Sequence, residues 1–328
     1  MANNVATLNG VAITDIDKVN GITDANLQAL NGEEFAGYGG ITWSTDDAMP
    51  VALSGGIHMG IIGAEAVSNS NDAGATGALA TYEHNGSSWS TGGSCSIVHG
   101  AGAGGGSESA GVIFGGWNGS DDGVGTEEYN GSSFSTVNNM VGGFAYGTGG
   151  GTLQTGQLAT GGSTYNPTVR DIKLTQTYDG TNWANESIDS SGNGSSSAGE
   201  SGGGGLDAFL SAGGALDAGT NANCQLFNQT AGSWTTKATC ITVARYTGSC
   251  SDGTRVYKLG GYAASAPHQL AVCESWVENS WSAEASLPGA RIQPGQGSGG
   301  AASAGGASTV GGNSGSAKTT SYFISALA

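Results

Sequence analysis

The 328-residue chain contains only four histidines, and two of them could contribute to a metal site. His58 and His99 each precede a Gly-rich run and could therefore approach a common centre. His84 and His268 are expected to be exposed in a hairpin and a loop. Two imidazoles can begin a copper site. Because no recognisable ligand set surrounds the pair, the sequence predicts no metal, no cofactor and no catalytic residue.

A second group of side chains could bind a ligand through hydrogen bonds. Arg245 in "ARY" and Arg291 in "ARI" follow the outer strand of their repeat units, and Tyr146 in "FAYG" holds a comparable place. An arginine fork can hold a sugar or a carboxylate. Alternatively, these side chains satisfy carbonyl groups of the protein's own central channel. Together with His58 and His99, these three residues are the candidate binding residues.

Acidic pairs and Gly-rich runs indicate no further site. The pairs Asp46-Asp47, Asp121-Asp122 and Glu127-Glu128 lack the alternating oxygen ligands of a Ca²⁺ loop, so they are interpreted as solvated loops. The runs "GAGAGGGSES" and "SGGGGLD" lack the Gly-Lys-Ser/Thr end of a phosphate loop. They are interpreted as innermost strands and turns, where only small residues fit.

The five cysteines show no metal-binding spacing. Cys224 and Cys273 occupy matching places in two repeat units, and Cys95 and Cys240 do so in two others. Small residues that recur at equivalent strand positions are expected to be packing residues.

The composition indicates a turn-rich all-β protein with an acidic surface. Gly accounts for 62 residues, and the net charge is −17. A charge of this sign repels phosphate backbones and anionic lipid, which argues against a nucleic-acid partner. The sequence shows no signal peptide and no apolar run long enough for a membrane span. We therefore expect synthesis in a host cytoplasm without membrane insertion.

Three landmarks recur along the chain and identify the repeat unit, and the first of them recurs at intervals of 46 to 49 residues. The first aromatic residues of the units are aligned as Tyr82, Tyr129, Tyr178, Phe227, Trp276 and Tyr322. The second aromatic residues are Trp89, Phe134, Trp183, Trp234 and Trp281. A Gly doublet precedes each pair except the first, where Gly63 stands alone in "IIGAEA". A period of this length built from strand-like pieces is typical of a propeller blade.

This set of a Gly doublet, a Tyr and a following Trp resembles the kelch repeat over roughly residues 39–325. It is also similar to the central propeller of galactose-oxidase-type proteins and to Gly-rich kelch arrays of marine bacteriophage tail proteins. The resemblance implies blades of four antiparallel strands, with the doublet ending the second strand and the two aromatics on the third and fourth. The fourth-strand aromatic is expected to pack against the next blade. Asn85, Asn130 and Asp179, each followed by Gly, are expected to turn the hairpin between these strands.

Five complete aromatic pairs and two half-units predict a closed ring of six blades. Trp43 in "ITWSTDD" has the sequence context of a fourth strand, whereas the C-terminal end carries a Gly doublet and Tyr322 without a following Trp. Pairing of the N-terminal strand, as outer strand, with the C-terminal strands would remove an exposed sheet edge. The propeller is predicted to span residues 39–328.

Residues 1–38 are predicted to be an anchoring arm. The "VNG"-type units repeat every eleven residues and are interpreted as short helical turns that end at Asn-Gly. Ile16, Val19, Leu27 and Leu30 would lie on the faces that dock onto a partner. The units resemble linkers that precede tail-attached phage modules. Alternatively, the arm folds back onto the propeller.

Together, these features favour a non-enzymatic virion structural protein of a phage tail, fibre or capsid. Other virion proteins would bind the arm, and a host-surface glycan or another virion protein would bind the propeller face. The chain could oligomerise. The alternative is an extracellular carbohydrate-binding or galactose-oxidase-like propeller.

Overall fold

In the computed structural model, every described regular element is a β-strand. The structure describes residues 40–52, 56–68, 79–117, 123–143, 145–164, 170–171, 174–188, 201–203, 209–216, 219–251, 255–277 and 279–292. It also gives the backbone of short strands within 7–34 and 302–327. Among these residues no helix is long and apolar enough to cross a membrane.

The chain forms a β-propeller in which consecutive strands make four-stranded antiparallel blades. Each blade is ordered first to fourth strand, and the first strands of neighbouring blades contact one another. The strands are Ile57–Ile61, Ala64–Ser68, Thr81–His84 and Trp89–Thr91 in blade 1; Ala103–Ser107, Ala110–Phe114, Thr126–Tyr129 and Phe134–Thr136 in blade 2; Thr148–Leu153, Gly156–Thr160, Leu174–Tyr178 and Trp183–Ile188 in blade 3; Ser201–Gly203, Phe209–Ala212, Cys224–Asn228 and Ser233–Lys237 in blade 4; Gly248–Ser251, Val256–Leu259, Cys273–Val277 and Ser280–Ala283 in blade 5.

The strands expected for a sixth blade come from both ends of the chain and form a further sheet, called here the split sheet. Its order is Ala302–Ser303, Gly306–Val310, Tyr322–Leu327 and Ile41–Asp46. Five blades, not six, are thus built from consecutive strands. The antiparallel register places Ser325 opposite Trp43, and Tyr322 opposite Asp46. Tyr322 therefore does not hold the place of the first aromatic that the sequence alignment assigned to it.

The outer strand of the split sheet and the residues directly after it connect the last blade to the first. Ile41 and Trp43 pack against Tyr257 and Cys273 of blade 5. A few residues later, Met49 joins the core of blade 1. The apolar faces of blades 5 and 1 are therefore both covered by one stretch of chain.

The Gly doublets end the second strands of blades 2 to 5, as the pattern predicts. Both glycines of each doublet have positive φ: Gly115 and Gly116, Gly161 and Gly162, Gly213 and Gly214, Gly260 and Gly261. Blade 1 differs, because Gly63 lies in the turn between its first and second strands rather than after the second. Gly63 is therefore not the remnant of a doublet.

The aromatic pairs lie on the third and fourth strands, but the alignment of blade 1 needs a correction. Tyr129 faces Phe134 and Tyr178 faces Trp183 across the two strands, whereas the partner of Trp89 is His84. His84 is buried and its ring lies 4.9 Å from that of Trp89. The imidazole therefore takes the place of the first aromatic, and the expected exposure of His84 is wrong.

The fourth-strand tryptophans pack against the preceding blade, not the next one. Trp183 of blade 3 donates from Nε1 to Thr126 Oγ1 of blade 2 at 2.9 Å, and Trp234 of blade 4 donates to Thr175 of blade 3. Trp89 likewise donates to the Asp47 carbonyl oxygen at 3.1 Å, just beyond the split sheet. The indole N–H thus finds its acceptor across the blade interface, because a buried donor needs a partner.

The hairpins between third and fourth strands turn at the predicted positions. Gly86, Gly131 and Gly180 all have positive φ. The preceding side chain caps the loop: Asp179 Oδ1 accepts from the backbone N–H groups of Thr181 and Asn182 at 2.8 and 2.7 Å. This is the local hydrogen bonding for which Asn and Asp are selected in turns.

The described cysteines are all free and buried, in agreement with a packing role. Cys95 and Cys240 hold equivalent places in their blades. The backbone N–H of each donates to the carbonyl oxygen of the residue two positions before the third strand, which is Leu79 in blade 1 and Ala222 in blade 4. Cys224 and Cys240 lie in one core cluster.

The arm contains hairpins rather than helical turns over its described residues. Three two-stranded antiparallel pairs follow one another at the eleven-residue period: Thr7–Leu8 with Val11–Ala12, Lys18–Val19 with Ile22–Thr23, and Ala29–Leu30 with Glu33–Glu34. In the sequence an Asn-Gly pair stands between the two strands of each pair, and Asn-Gly is strongly preferred in two-residue hairpin connections. Val19 and Leu30 lie on strands, and Ile16 and Leu27 lie outside the described residues.

Candidate functional site

Three non-glycine residues with a left-handed backbone conformation lie in the loops that lead into the first strands. Ala101, Tyr146 and Tyr246 have φ values of 54°, 61° and 54°, and each lies two residues before the first strand of blade 2, 3 or 5. The Tyr146 N–H donates to the Ala101 carbonyl oxygen at 2.9 Å, which joins the loops of neighbouring blades. Non-glycine residues in this region are uncommon and store a modest amount of backbone strain.

Tyr146 and Tyr246 meet although their blades are not neighbours. Their ring centroids lie 6.4 Å apart at an interplanar angle of 65°. Because first strands surround the axis of a propeller, side chains of blades 3 and 5 can touch only across it. The edge-to-face pair therefore lies at one mouth of the axial channel. Both rings are partly exposed.

Arg245 lies between two of the aromatic rings at this mouth. Its guanidinium carbon is 5.2 Å from the Tyr246 ring centroid and 5.0 Å from that of Tyr262. Reciprocal backbone hydrogen bonds between Arg245 and Tyr262, of 3.0 and 2.7 Å, set this position. Such cation–π contacts contribute about 0.5–2 kcal/mol each, depending on exposure.

The loop that follows the Gly doublet of blade 5 extends the aromatic surface. The Tyr262 ring stacks on that of His268 with centroids 5.2 Å apart and an interplanar angle of 10°. The Ala263 N–H donates to the His268 carbonyl oxygen at 2.8 Å, which closes the loop. We call Tyr146, Arg245, Tyr246, Tyr262 and His268 the tyrosine–arginine cluster.

Arg291 lies beside this cluster but is largely buried. Its carbonyl oxygen accepts from the Gly261 N–H at 2.7 Å, and its Nη1 donates to the Ala290 carbonyl oxygen at 3.0 Å. Burial lowers the pKa of the guanidinium from its usual value. Arg291 therefore helps to hold the loops of blade 5.

His99 is not at the channel mouth and instead belongs to a buried network. Its Nε2 lies 3.2 Å from Glu127 Oε2, and its Nδ1 lies 2.7 Å from the Gly115 carbonyl oxygen. Glu127 also accepts from the N–H groups of Ser96 and Ile97 at 2.8 and 3.1 Å. Burial alone would raise the pKa of Glu127, but these hydrogen bonds outweigh it and lower the pKa. Both side chains hold the loop into blade 2.

The interpretation of the Glu127-Glu128 pair as a solvated loop is therefore wrong. Glu127 is fully buried, and Glu128 Oε1 accepts from the Tyr178 hydroxyl of the next blade at 2.9 Å. Tyr129 makes the equivalent bond to Glu83 of blade 1. Glu127 thus stabilises the loop at Ser96 and Ile97, and Glu128 stabilises the interface between blades 2 and 3.

His58 lies on the first strand of blade 1 and is fully buried. Its ring Nε2 has no hydrogen-bond partner. Burial lowers its pKa to about 4, so the imidazole is neutral at ordinary pH. His58 lies on a strand of blade 1 and His99 in the loop before the first strand of blade 2. No group of three His, Cys, Asp or Glu residues that could hold a metal occurs within the described ranges.

A cavity of about 180 Å³ lies away from the channel mouth. It is lined by Glu83, His84, Asn85, Ser90, Glu108, Ser109 and Gly131, at the outer edge of blades 1 and 2. The cavity is shallow, and the cluster at the channel mouth offers the richer set of partly exposed rings and donors.

Sequence reasoning identified Tyr146 and Arg245 but missed Tyr246, Tyr262 and His268. The sequence held one signal for Tyr262. An aromatic residue directly follows the Gly doublet in two units, Tyr262 in "LGGY" and Trp117 in "FGGW". The bridges Gly100↔Trp117 and Arg245↔Tyr262 show that these two positions are equivalent.

Comparison with known proteins supports the fold. A solved structure described as that of YjhT is similar with a TM-score of 0.66 and 13% sequence identity, covering 84% of this chain and 95% of that chain. No protein-family model matches the sequence. No curated protein matches it significantly. At this level of identity the likeness establishes the β-propeller fold of the chain.

Proposed function

We propose that this chain is a non-enzymatic structural protein of a bacteriophage virion, and that its propeller face recognises a molecule outside the protein. The tyrosine–arginine cluster carries the proposal, because it gathers three partly exposed tyrosines and a cation at one channel mouth. Surfaces of Tyr and Arg are those that contribute most to binding. The propeller scaffold holds the loops that bear them in place.

The repeat pattern and the split sheet support a kelch-like ring of six blades. The split sheet has the same four-stranded order as each blade, and its outer strand packs against blade 5. Counted as a blade, it closes the ring and covers the apolar face of blade 5. A closed, rigid ring suits a module that must remain folded outside a cell.

The hairpin arm supports attachment to a larger assembly. Three isolated hairpins of two-residue strands are at best marginally stable without a neighbour. We propose that other virion proteins supply that neighbour and that the arm joins the propeller to a tail, a fibre or the capsid. The face opposite the attachment point then contacts a host-surface glycan or another virion protein.

Localisation tests this function directly. Antibodies raised against residues 39–328 should label purified phage particles at one structural position, and mass spectrometry of the particles should detect the chain. An extracellular carbohydrate-binding propeller, the alternative that the same aromatic surface would suit, predicts the opposite distribution. Recovery of the protein from the medium and its absence from washed particles would overturn the virion assignment.

A further inference from the structure

Arg245 has hydrogen-bond donors that the protein leaves unused. Its buried Nε has no hydrogen-bond partner, and the ion pairs among the described residues are His99 with Glu127 and Lys258 with Glu274. The rings of Tyr246 and Tyr262 lie near the guanidinium, so its remaining N–H groups are its means of binding. An unpaired donor is unfavourable in the folded protein, and a ligand with a matching acceptor would remove that cost.

The geometry of these donors favours a carboxylate. A guanidinium presents parallel N–H groups in one plane, which match the two oxygens of a carboxylate. Lys258 is a cation whose partners lie within the protein. It is fully buried beside Glu274 and donates to the Thr242 carbonyl oxygen at 2.5 Å. Arg245, by contrast, is partly exposed and has no such carboxylate among the described residues.

The rings around Arg245 add a platform suited to a flat, hydroxylated ligand. Tyr146 and Tyr246 meet edge to face, and Tyr262 stacks on His268, so the cluster presents rings in two orientations. A tyrosine ring offers an apolar face and a polar hydroxyl, which together match the apolar face and hydroxyl rim of a sugar. The cluster thus combines a stacking surface with one cationic fork.

We propose that the tyrosine–arginine cluster binds a carboxylate-bearing saccharide, such as a hexuronic acid unit of an acidic polysaccharide. Arg245 holds the carboxylate, and the tyrosine rings contact the sugar. This inference rests on the proposed function, since it names the ligand class of the recognition face. The net charge of −17 opposes the approach of an anion, so the local contacts with Arg245 must outweigh that repulsion.

The test compares two ligands that differ in charge but hardly in shape. Trigalacturonic acid and its methyl ester are titrated into the full chain by calorimetry or saturation-transfer NMR. The free acid should bind roughly 10- to 100-fold more tightly than the ester, the range expected of a charge-assisted hydrogen-bonded pair. Concentrated salt should weaken binding of the acid more than binding of the ester.

Three variants locate the interaction. R245Q should make the affinities for acid and ester nearly equal, R245K should retain part of the preference for the acid, and Tyr262→Ala should weaken binding of both ligands. The matched control is Lys237→Gln, which removes a positive charge from the fourth strand of blade 4 and should change neither affinity. Melting temperatures of all variants are compared to exclude unfolding.

Several outcomes would overturn the inference. Equal binding of acid and ester by the wild-type chain would do so without any variant, as would failure to bind either. Persistence of the preference in R245Q would show that another group holds the carboxylate. If the chain is found in particles but does not bind the acid, only this inference fails. If it binds the acid but is absent from particles, only the virion assignment fails.

Discussion

Buried polar side chains of single residues hold the loops that lead into the innermost strands. Glu127 accepts hydrogen bonds from the backbone N–H groups of Ser96 and Ile97. In the next blade, Gln176 Oε1 accepts from the Gly142 N–H at 3.0 Å and Gln176 Nε2 donates to the Gly142 carbonyl oxygen at 3.2 Å. Glu274 binds the N–H groups of Ile241 and Thr242 in blade 5. Each of these residues lies two positions before the first aromatic residue of its blade. One repeated position, filled by Glu or Gln, therefore holds the loops that lead into the first strands.

Removal of the Glu127 carboxylate should destabilise the fold. Glu127→Ala leaves several buried donors without an acceptor and should lower the free energy of unfolding by about 3 kcal/mol. Glu127→Gln should cost about half as much, because blade 3 uses Gln at this position. Urea unfolding of both variants checks the order. Asp47→Asn, an exposed carboxylate, serves as the control.

The pH dependence of this effect follows from the lowered pKa of Glu127. A carboxyl whose pKa is lower in the folded than in the unfolded chain stabilises the fold above its unfolded pKa. That stabilisation is lost as the pH falls through the folded pKa. The difference between wild type and Glu127→Gln should therefore shrink in acid, and a difference that grew on acidification would contradict the assigned cause.

Burial of the neutral His58 imidazole predicts that the free energy of unfolding also depends on pH between about 4 and 6.5. Its pKa is about 4 in the fold against 6.5 in the unfolded chain, so between these values only the unfolded chain takes up the proton. Stability is full above 6.5 and falls as the pH is lowered towards 4. At pH 5.5 the loss is roughly 1.5 kcal/mol relative to pH 7.5.

A variant isolates the His58 contribution. His58→Gln cannot titrate, so its free energy of unfolding should fall less than that of wild type between pH 7.5 and pH 5.5 in urea. His268→Gln changes an exposed imidazole and should retain the wild-type dependence. Identical slopes for wild type and His58→Gln would show that the buried imidazole is not the cause.

At the scale of elements, the Gly doublets allow the end of a second strand to approach the loop of the first. Gly162 has a φ of +90°, and a Cβ there would lie 2.9 Å from the Gly147 nitrogen and closer still to the Ala145 carbonyl oxygen. Gly232, in a turn of blade 4, has a φ of +58° and open space around the Cβ position. At Gly162 a side chain is disfavoured by both the backbone conformation and the lack of space, whereas at Gly232 it is disfavoured by the backbone conformation alone.

Substitution at these glycines should give different costs. Gly162→Ala should lower the free energy of unfolding by about 3 kcal/mol or more, because it combines backbone strain with a clash against backbone atoms. Gly232→Ala should cost about 1 kcal/mol, the strain alone. Chemical denaturation of the two variants measures both values. Equal costs would mean that the close approach after the doublet is not needed.

At the scale of the whole molecule, the split sheet couples the two ends of the chain. Six consecutive residue pairs join Tyr322–Leu327 to Ile41–Asp46. The outer strand in turn packs Ile41 and Trp43 on blade 5. Loss of this pairing would expose a strand edge and uncover an apolar face, the two features that favour aggregation.

Truncation tests this coupling. Deletion of residues 319–328 removes the strand Tyr322–Leu327 and should abolish cooperative melting or cause aggregation, measured by calorimetry and light scattering. Deletion of residues 1–38 removes only the hairpin arm and should leave a soluble, cooperatively melting propeller. A soluble C-terminal truncation with the melting temperature of the intact chain would refute the structural role of the closing strand.

The local features of the blades were predictable from the sequence. The doublets, the Asn/Asp-Gly turns and the aromatics on third and fourth strands depend on backbone conformation and spacing within one repeat. The helical turns expected in the arm were wrong, because Asn-Gly can end a helix or turn a hairpin and the short segments between the Asn-Gly pairs do not distinguish the two. His84 was misplaced because an imidazole does not match an aromatic landmark.

The residue pattern was sufficient to predict the repeat, the strand order within a blade and the pairing of the two ends. These follow from local conformation and from the need to cover every edge and apolar face. Only the tertiary structure decided that the tryptophans pack on the preceding blade and that Tyr146 meets Tyr246 across the axis. Such contacts join residues about fifty to a hundred positions apart, and ring curvature rather than residue spacing brings them together.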